Sequence, residues 1–340
     1  MKTGIIGGGA WGATLAQLII DNNHEALVYD VNLNIVNKIN NENKHPFFDV
    51  TLPKSLKATN SLKELINYQE MIILAIPTKV MRSVLKDINK LLTKKTYFID
   101  VSKGLEPETY KRMSDLVKEE INPKYNGGYA VLTGPSHAEE VILRKLTLLT
   151  AASEDENLAK LIQEIMSNDT YMRVYTSNDV IGCEVGGASK NAISVVSGML
   201  TGAGMGENAR AALITRGILE ILRIVEFYGG KKETAFGLTG IGDLMVTASS
   251  ENSRNFRAGK KLAEGKTLEE IYRDEPQTIE GIRSIEALTR LSEEENISLP
   301  IITTAYKVIF DNMDMEEALS SILKRQLKAE EIKWFLFRTG

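Results

Sequence analysis

The chain has 340 residues, 43% of them hydrophobic, a size typical of about two domains whose cores need no cross-links. A single cysteine, Cys183, excludes an internal disulfide and a cysteine-rich zinc or iron–sulfur site, and with only three separated histidines we expect no metal. The formal net charge of −4 does not favour binding to nucleic acid. No apolar run approaches the roughly 20 residues of a membrane span and no signal peptide opens the sequence, so we predict a cytoplasmic protein.

The N-terminal segment predicts a binding site for a dinucleotide. Gly7, Gly9 and Gly12 stand at Gly-x-Gly-x-x-Gly spacing between an apolar strand and an apolar helix, and a second strand ends at Asp30. Gly7 would allow the tight turn, Gly9 would let the backbone approach a pyrophosphate, and Gly12 would let the helix pack on the sheet. Amide groups at the helix N-terminus attract phosphate. Because these features occur together within about thirty residues, the glycine pattern is a specific signal.

Strands and helices alternate through the first half of the chain, which predicts an open, mostly parallel sheet with helices on both faces. The predicted strands cover residues 4–6, 26–29, 71–76, 97–101, 129–133 and 146–150. The predicted helices cover residues 13–20, 78–92, 108–121, 136–143 and 154–166. Residues 40–60, with two prolines and two adjacent phenylalanines, are predicted to form an irregular insertion near the sheet edge.

After about Ser177, strand-like runs disappear and helical patterns separated by glycine-rich joints follow. The predicted helices cover residues 179–200, 207–228, 253–264, 267–273, 279–296, 301–310 and 315–327. The predicted fold class is therefore α/β, with a Rossmann-like, mostly parallel sheet domain over residues 1–177 and an all-α domain over residues 178–340. A dinucleotide site on the first domain would face catalytic residues on the second.

Lys190 lies on the first predicted helix of the second domain, with Gly186 and Gly187 on the same face. Two glycines cost a helix about 1 kcal/mol each relative to alanine, so something should approach the backbone there. One interpretation is a lysine presented to a ligand over a flat surface. The other is close helix packing beside a solvated lysine, and the sequence around Lys190 alone leaves both open.

Two polar clusters follow predicted strands, at the edge where open α/β sheets bind ligands. Lys103 lies in Val-Ser-Lys-Gly-Leu-Glu, and Gly134 and Ser136 lie in Leu-Thr-Gly-Pro-Ser-His-Ala. A solvated loop lysine and a helix-capping serine are the alternative interpretations of Lys103 and Ser136.

A basic cluster follows Ser253, which is a candidate helix cap. Its members are Arg254, Arg257, Lys260 and Lys261. Arg254 and Asn255 would lie in the first helical turn, where a cation is unfavourable beside the helix dipole. An anion bound by the helix amides and by Arg254 would remove this conflict, which favours a phosphate site over a solvated helix face.

Six segments together resemble the bacterial NAD(P)-dependent glycerol-3-phosphate dehydrogenase family, in its order and spacing over nearly the whole chain. They read GIIGGGAWGATLA, VSKGLE, LTGPSHAEE, EVGGASKN, GENARAALITRG and GLTGIGDL…SRN. The resemblance implies reduction of dihydroxyacetone phosphate to sn-glycerol 3-phosphate with NADH or NADPH, for glycerophospholipid synthesis. Helical second domains often dimerise, so a homodimer is one expectation.

Matched residue by residue, the resemblance implies that Lys190 is the catalytic proton donor and acceptor. The implied substrate positions are Lys103, Gly134, Ser136, Lys190, Asp243, Ser253, Arg254 and Asn255. The implied cofactor positions are Ala10, Trp11, Lys103, Ala138, Arg254, Thr278 and Glu280, to which the glycine pattern adds Gly7, Gly9, Gly12 and Asp30. The chain departs from the family's common residues at two places, the pair Thr78-Lys79 and Ala248, and neither departure removes a charged group.

The mechanistic hypothesis is hydride transfer from the nicotinamide to the ketone carbon, with Lys190 giving a proton to the developing alkoxide. Partial burial of Lys190, with Lys103 nearby, would lower its pKa toward the working pH. Asp243 would orient Lys190 or bind a substrate hydroxyl, and Arg254 would hold the phosphate. Asp30, with no arginine directly after it, favours NAD over NADP, but the choice stays open.

Two other functions fit parts of the pattern. A β-hydroxyacid dehydrogenase also joins a dinucleotide domain to a helical domain with a catalytic lysine, but it binds a carboxylate and would not need the VSKGLE and GDL…SRN segments. A non-catalytic redox sensor would detect NADH and bind a partner through its helices, but would leave Lys190, Asp243 and Arg254 without a role.

Overall fold

The computed structural model describes residues 1–107, 109–275 and 279–326. The first half of the chain forms an eight-stranded sheet in the order β3-β2-β1-β4-β5-β6-β7-β8. The strands are β1 (Lys2–Ile6), β2 (Glu25–Tyr29), β3 (Lys57–Thr59), β4 (Met71–Leu74), β5 (Thr96–Asp100), β6 (Asn126–Thr133), β7 (Thr147–Ser153) and β8 (Met172–Ser177). Only the pair of β6 and β7 is antiparallel among these neighbours, so the predicted mostly parallel sheet is confirmed.

The strand order reverses between β1 and β4, which are hydrogen-bonded neighbours. The first six strands have the order 3-2-1-4-5-6 that is typical of dinucleotide-binding folds. The connections from β1 and β4 leave in opposite directions at this point and open a crevice at the carboxyl ends of the strands. The sheet therefore places its binding crevice next to the glycine-rich turn that follows Ile6.

Helices cover both faces of the sheet, as predicted. They are α1 (Ala10–Asp21), α2 (Leu33–Asn37), α3 (Leu62–Tyr68), α4 (Thr78–Leu91), α5 (Met113–Glu120), α6 (Ala138–Val141) and α7 (Glu156–Met166). Alternate residues of β4 enter opposite cores: Met71 and Ile73 pack in one apolar cluster, and Ile72 and Leu74 pack in the other. This two-residue period explains why the strand reads as a continuous apolar run.

The second half is helical over its described residues. Its helices are α8 (Val180–Gly202), α9 (Glu207–Phe227), α10 (Lys232–Ala235), α11 (Asp243–Ala248), α12 (Arg254–Ala263), α13 (Leu268–Asp274), α14 (Glu280–Glu294), α15 (Pro300–Phe310) and α16 (Met315–Leu323). The central helix is α8, which is buried along most of its length and packs against α9, α11, α12 and α14. None of the helices in the described ranges is long and apolar enough to cross a membrane.

Two glycines let α8 and α12 approach each other closely. A Cβ added to Gly198 would lie 1.9 Å from the Phe256 carbonyl oxygen, and one added to Gly259 would lie 1.9 Å from the Val195 carbonyl oxygen. Such distances are impossible for real atoms, so only glycine fits at both positions. The contact matters for the site because α12 begins at Arg254 and α8 carries Lys190.

Several predicted elements need correction. Strands β3 and β8 were not predicted, and residues 40–60 are only partly irregular because a π-helical turn (Lys38–Glu42) and β3 fall within or beside them. The predicted helices over 108–121 and 136–143 are shorter, at Met113–Glu120 and Ala138–Val141. Short helices α2, α3, α10 and α11 and a π-helical turn (Leu238–Gly242) were missed. Residues 108 and 327, at the ends of two predicted helices, lie outside the described residues.

We propose the domain division at residues 177 and 178, because β8 ends at Ser177 and α8 begins at Val180. Residues 276–278 and 327–340 of the second domain lie outside the described residues.

Replacing Gly259 with alanine should destabilise the protein. The added methyl group would force α8 and α12 apart, and overpacking of this kind costs roughly 1–3 kcal/mol. We expect Gly259→Ala to lower the free energy of unfolding by about that amount in urea denaturation, despite the better helix propensity of alanine.

The control is Gly206→Ala. Gly206 has a φ of −76°, and a Cβ there would meet nothing within 4 Å, so the change should cost less than about 1 kcal/mol. Equal stability losses for the two variants would contradict the close approach of α8 and α12.

Candidate active site

A cleft of about 520 Å³ lies between the carboxyl ends of the central strands and the helices α8, α11, α12 and α14. It brings together most of the residues that the sequence analysis singled out. Those that line it are Gly9, Ala10, Trp11, Gly12, Lys103, Ser136, Ala138, Lys190, Asp243, Ser253, Arg254, Asn255 and Glu280. Over the described ranges, no group of three or more His, Cys, Asp or Glu side chains is arranged to hold a metal ion.

The glycine-rich turn has the geometry that a dinucleotide requires. Gly7 has a φ of +101°, and a Cβ there would lie 2.3 Å from the Ala75 carbonyl oxygen. A Cβ on Gly12 would lie 1.9 Å from the Gly7 carbonyl oxygen, so Gly12 permits the close packing of α1 on the turn. A Cβ on Gly9 would meet nothing within 4 Å. Gly9 therefore leaves open space at the N-terminus of α1, where free amides attract a pyrophosphate.

Lys190 is buried at the centre of the site. Its side chain comes from α8, and its ammonium nitrogen lies 2.7 Å from Asp243 Oδ1 and 2.6 Å from Thr247 Oγ1. Lys190 is 2% exposed and Asp243 is 1% exposed. An ammonium group has three donors, so these two contacts leave one donor for a ligand in the cleft.

Lys103 reaches the same carboxylate from the sheet domain. Its ammonium nitrogen lies 2.8 Å from Asp243 Oδ2 and 3.2 Å from the Gly134 carbonyl oxygen. It also donates to Ser136 Oγ at 3.4 Å. Ser136 is not a helix cap, because α6 begins at Ala138 and the Ser136 hydroxyl donates to Gly134 O at 2.9 Å. One carboxylate thus connects lysines of the two halves of the chain.

Burial changes the ionisation of this cluster. Burial lowers the pKa of Lys190 to about 7, with a further lowering by Lys103, while Asp243 opposes the shift. Burial by itself would raise the pKa of Asp243, but the positive charges of Lys103 and Lys190 hold it below its usual range. Near neutral pH, Asp243 is an anion and Lys190 can both give and accept a proton.

Neither interpretation of the two glycines before Lys190 is right in full. A Cβ on Gly186 would lie 3.8 Å from the Thr239 carbonyl oxygen, and one on Gly187 would lie 3.4 Å from Thr133 Oγ1. Both glycines therefore face protein, as close packing predicts. Lys190, however, is not solvated but enclosed, as the ligand-binding interpretation requires.

The N-terminus of α12 forms the far wall of the cleft. Ser253 Oγ accepts a hydrogen bond from Phe256 N at 3.2 Å, which confirms the predicted cap and places Arg254 and Asn255 in the first turn. Burial lowers the pKa of Arg254, and the negative charge of Glu280 partly offsets this. Burial raises the pKa of Glu280 in turn, against the attraction of Arg283 and Arg254.

Asn255 also ties elements of the site together. Its side-chain oxygen accepts from Gly281 N at 2.9 Å, and its amide nitrogen donates to Asn191 Oδ1 at 3.0 Å. Asn191 in turn donates to the Lys103 carbonyl oxygen at 3.2 Å. The chain of contacts links α14, α12, α8 and the loop that carries Lys103.

Some predicted site residues lie beside the cleft rather than in its lining. Gly7 forms the turn beneath it, and Gly134 contributes through its carbonyl contact with Lys103. Asp30 Oδ2 accepts from Gly8 N at 2.7 Å and Oδ1 accepts from Asn32 N at 2.7 Å, so its carboxylate supports the glycine-rich turn. Thr278 lies outside the described residues.

The cleft also contains residues that were not among the predicted site positions, of which three stand out. Thr247 contacts Lys190 and lies four residues after Asp243 on α11, so helical spacing could have found it. Asn191 directly follows Lys190. Phe47 lines the cleft although it lies in the segment predicted to be an insertion at the sheet edge, and no local sequence signal indicates this.

Comparisons with known proteins agree with this geometry. A family model described as the N-terminus of NAD-dependent glycerol-3-phosphate dehydrogenase matches residues 2–159, and one described as its C-terminus matches residues 179–320. The glycerol-3-phosphate dehydrogenase [NAD(P)+] of Acholeplasma laidlawii is 61% identical over 332 residues, which cover 98% of this chain and 100% of the relative.

Two further similarities extend the comparison. The enzyme of the same name from Phytoplasma mali is 50% identical over 332 residues, covering 98% of this chain and 100% of its own. The crystal structure of glycerol-3-phosphate dehydrogenase from Coxiella burnetii superposes with a TM-score of 0.90 at 30% identity, over 95% of this chain and 99% of the other.

Replacing Lys190 with methionine should change how stability depends on pH. The pKa of Lys190 is about 7 in the folded chain and 10.5 is the ordinary value, so between them the unfolded state binds one more proton. Wild-type stability then gains about 1.4 kcal/mol per pH unit from this group as the pH rises. Lys190→Met lacks this gain, and urea denaturation at about pH 7.5 and about pH 9.5 measures the difference.

Lys118→Met serves as the control, since it removes an exposed lysine of α5, and its dependence on pH should parallel that of the wild type. If Lys190→Met and the wild type gained equally with pH, the lowered pKa of Lys190 would be wrong.

Proposed function

Since the chain belongs to the NAD-dependent glycerol-3-phosphate dehydrogenase family, we propose that its cleft reduces dihydroxyacetone phosphate to sn-glycerol 3-phosphate with NADH or NADPH. The chain is an oxidoreductase of the NAD(P)-dependent type. The observation that carries the proposal is the Asp243 carboxylate, which holds Lys190 and Lys103 at 2.7 and 2.8 Å beside the glycine-rich turn.

The residues at the sheet edge fit a dinucleotide. Gly9, Ala10 and Trp11 line the cleft at the start of α1, and Ala138 lines it at the start of α6. The space in front of Gly9, which no Cβ fills, suits a pyrophosphate. When bound, NAD(P)H supplies the hydride, and the protein supplies position and charge.

The far wall fits a phosphate group. The cap Ser253 lines the cleft together with Arg254 and Asn255 of the first α12 turn. A phosphate dianion there would gain from both the helix amides and the guanidinium group. Lys103, 23% exposed at its side chain, adds a second cation on the opposite wall. A triose phosphate would therefore bridge the two halves of the cleft.

Lys190 is positioned to move the proton. In the reductive direction, the ketone oxygen gains negative charge as its carbon accepts the hydride, and Lys190 Nζ gives it a proton. The neutral amine left behind remains hydrogen-bonded to Asp243 and Thr247. In the oxidative direction the amine accepts the proton of the alcohol. Because the pKa of Lys190 is about 7, both forms are present near neutral pH.

The product would enter glycerophospholipid synthesis. We propose that the protein prefers NADH to NADPH. Asp30 places a carboxylate beside the glycine-rich turn, where it would repel the 2′-phosphate of NADPH. The homodimer and the cytoplasmic location stay predictions.

The purified protein should oxidise NADH when dihydroxyacetone phosphate is added, and Lys190→Met should slow this reaction. Loss of a positioned proton donor costs roughly 10²–10⁴-fold in kcat, whereas NADH should still bind because the glycine-rich turn is untouched. Absorbance at the nicotinamide band measures turnover, and quenching or enhancement of NADH fluorescence measures binding.

Lys118→Met is again the matched control and should retain wild-type turnover. If the wild type showed no turnover with either NADH or NADPH, the proposed reaction would be wrong. Full activity of Lys190→Met would leave the reaction standing and remove Lys190 from it.

Arg254→Ala should weaken binding of the phosphate group in particular. Hydrogen bonds to charged groups contribute about 1.5–3 kcal/mol, so we expect KM for dihydroxyacetone phosphate to rise by roughly 10- to 150-fold. Turnover of the unphosphorylated ketone dihydroxyacetone at high concentration should change much less.

The control for this variant is Lys261→Ala, which removes a cation of the same helix that pairs with Asp274 and should leave both KM values unchanged. An equal loss with the phosphorylated and unphosphorylated ketones would contradict a phosphate site at Arg254.

A further inference from the structure

Glu184 is a buried carboxylate that the reaction does not use. It lies on α8, six residues before Lys190, or roughly 9 Å along the helix axis, and it is only 7% exposed. It does not line the cleft. A buried carboxylate costs stability unless it is fully hydrogen-bonded, so its partners indicate what it does.

The hydrogen-bond partners of Glu184 among the described residues belong to the sheet domain. Its Oε1 accepts from Ser114 N at 2.7 Å and from the Tyr129 hydroxyl at 2.7 Å. Its Oε2 accepts from Ser114 Oγ at 2.7 Å and from Arg112 Nη1 at 3.4 Å. Four donors from the sheet domain therefore converge on one side chain of the catalytic helix.

The contact with Ser114 closes the end of a helix. The first amides of a helix have no partner within it, and Arg112, at the N-cap of α5, provides no side-chain cap. Glu184 provides the missing side-chain cap from the other domain, because it accepts the hydrogen bond of Ser114 N. Its negative charge is also favourable at a helix N-terminus. The first turns of α8 are thereby fixed to α5.

The contact with Tyr129 connects Glu184 to the loop that carries Lys103. The Tyr129 hydroxyl lies 2.7 Å from Glu184 and 3.4 Å from Asp100 Oδ2, at the end of β5. Asp100 Oδ1 accepts from Ser102 N at 2.9 Å, and Ser102 precedes Lys103. One side of the network thus holds the helix of Lys190, and the other side holds the loop of Lys103.

We propose that Glu184 is a positioning residue for the proton transfer: by joining α8 to α5 and β6, it keeps Lys190 and Asp243 of the helical domain within reach of Lys103 and of the substrate. The inference rests on the proposed function. Lys190 comes from the helical domain and Lys103 from the sheet domain, so their meeting at Asp243 depends on how the two domains are fixed. A misplacement of about 1 Å can cost on the order of 10²-fold in rate.

The test compares Glu184→Ala, Glu184→Gln and Glu220→Ala. Glutamine has the length of glutamate and keeps one acceptor oxygen, so it should rescue much of what alanine loses. Glu220 is the matched control, because it is a buried carboxylate that accepts from Ile301 N at 2.7 Å and from Ile302 N at 3.2 Å. It therefore also closes a helix end, but within the helical domain.

We expect Glu184→Ala to lower kcat per folded molecule by at least about 10-fold, with KM for NADH unchanged, and Glu184→Gln to stay within about threefold of the wild type. Glu220→Ala should lower the melting temperature but not kcat. A purely structural role for Glu184 would make the two alanine variants alike, with lowered melting temperatures and normal kcat, and that result would overturn the proposal.

A second measurement does not depend on turnover. Trinitrobenzenesulfonate reacts with accessible neutral amines, and peptide mass spectrometry locates the labelled lysines. Lys190 should be protected in the wild type and in Glu220→Ala but labelled in Glu184→Ala, because the freed helix would expose it. Continued protection of Lys190 in Glu184→Ala would contradict the proposal, even if the wild type proved inactive with dihydroxyacetone phosphate.

If Glu184→Ala does not fold, Tyr129→Phe and Ser114→Ala each remove one donor and provide milder versions of the same test. Each should lower kcat by a few-fold, about what one hydrogen bond contributes. Wild-type kcat in both variants would overturn the proposal.

Discussion

The Asp243 carboxylate is the interaction on which the site depends, because it holds together two ammonium groups that would otherwise repel each other. Each carboxylate oxygen accepts a hydrogen bond from one lysine, from Lys190 at 2.7 Å and from Lys103 at 2.8 Å. The two cations come from different domains, so the carboxylate acts at once as a bridge between domains and as a charge balance. Without it, the buried Lys190 would either keep an uncompensated charge, which costs several kcal/mol, or lose its proton.

Close packing of helices is what makes this bridge possible. Asp243 lies at the start of α11, and its partner Lys190 lies on α8, the helix that packs against most of the others. Gly198 and Gly259 bring α8 and α12 to backbone contact, which carries Arg254 toward the same cleft. A bulkier residue at either glycine would move the proposed phosphate-binding wall away from the lysines, so the core of the helical domain sets the size of the site.

Local patterns were sufficient to predict most of the fold and the centre of the site. The glycine spacing, the apolar strands and the resemblance of six segments located the sheet, Lys190, Asp243 and Arg254. Strand β8 was missed because exposed Arg173 and Tyr175 alternate with its buried residues, which leaves no continuous apolar run. The role of Glu184 could not be predicted, since its partners Ser114 and Tyr129 are 70 and 55 residues away in the chain.

The pKa of Lys190 explains why a buried lysine suits a reaction that runs in both directions. A solvated lysine keeps its proton at neutral pH and could act only as an acid, whereas a lysine buried without an anion would lose its proton and could act only as a base. Burial lowers the pKa of Lys190, and Asp243 limits that lowering, so that the value settles at about 7. The proton can then be given to an alkoxide or taken from an alcohol at similar cost. Asp243 also binds Lys103 of the sheet domain at 2.8 Å, and Lys103 lowers the pKa of Lys190, so rigid attachment of α8 to the sheet domain has a chemical consequence.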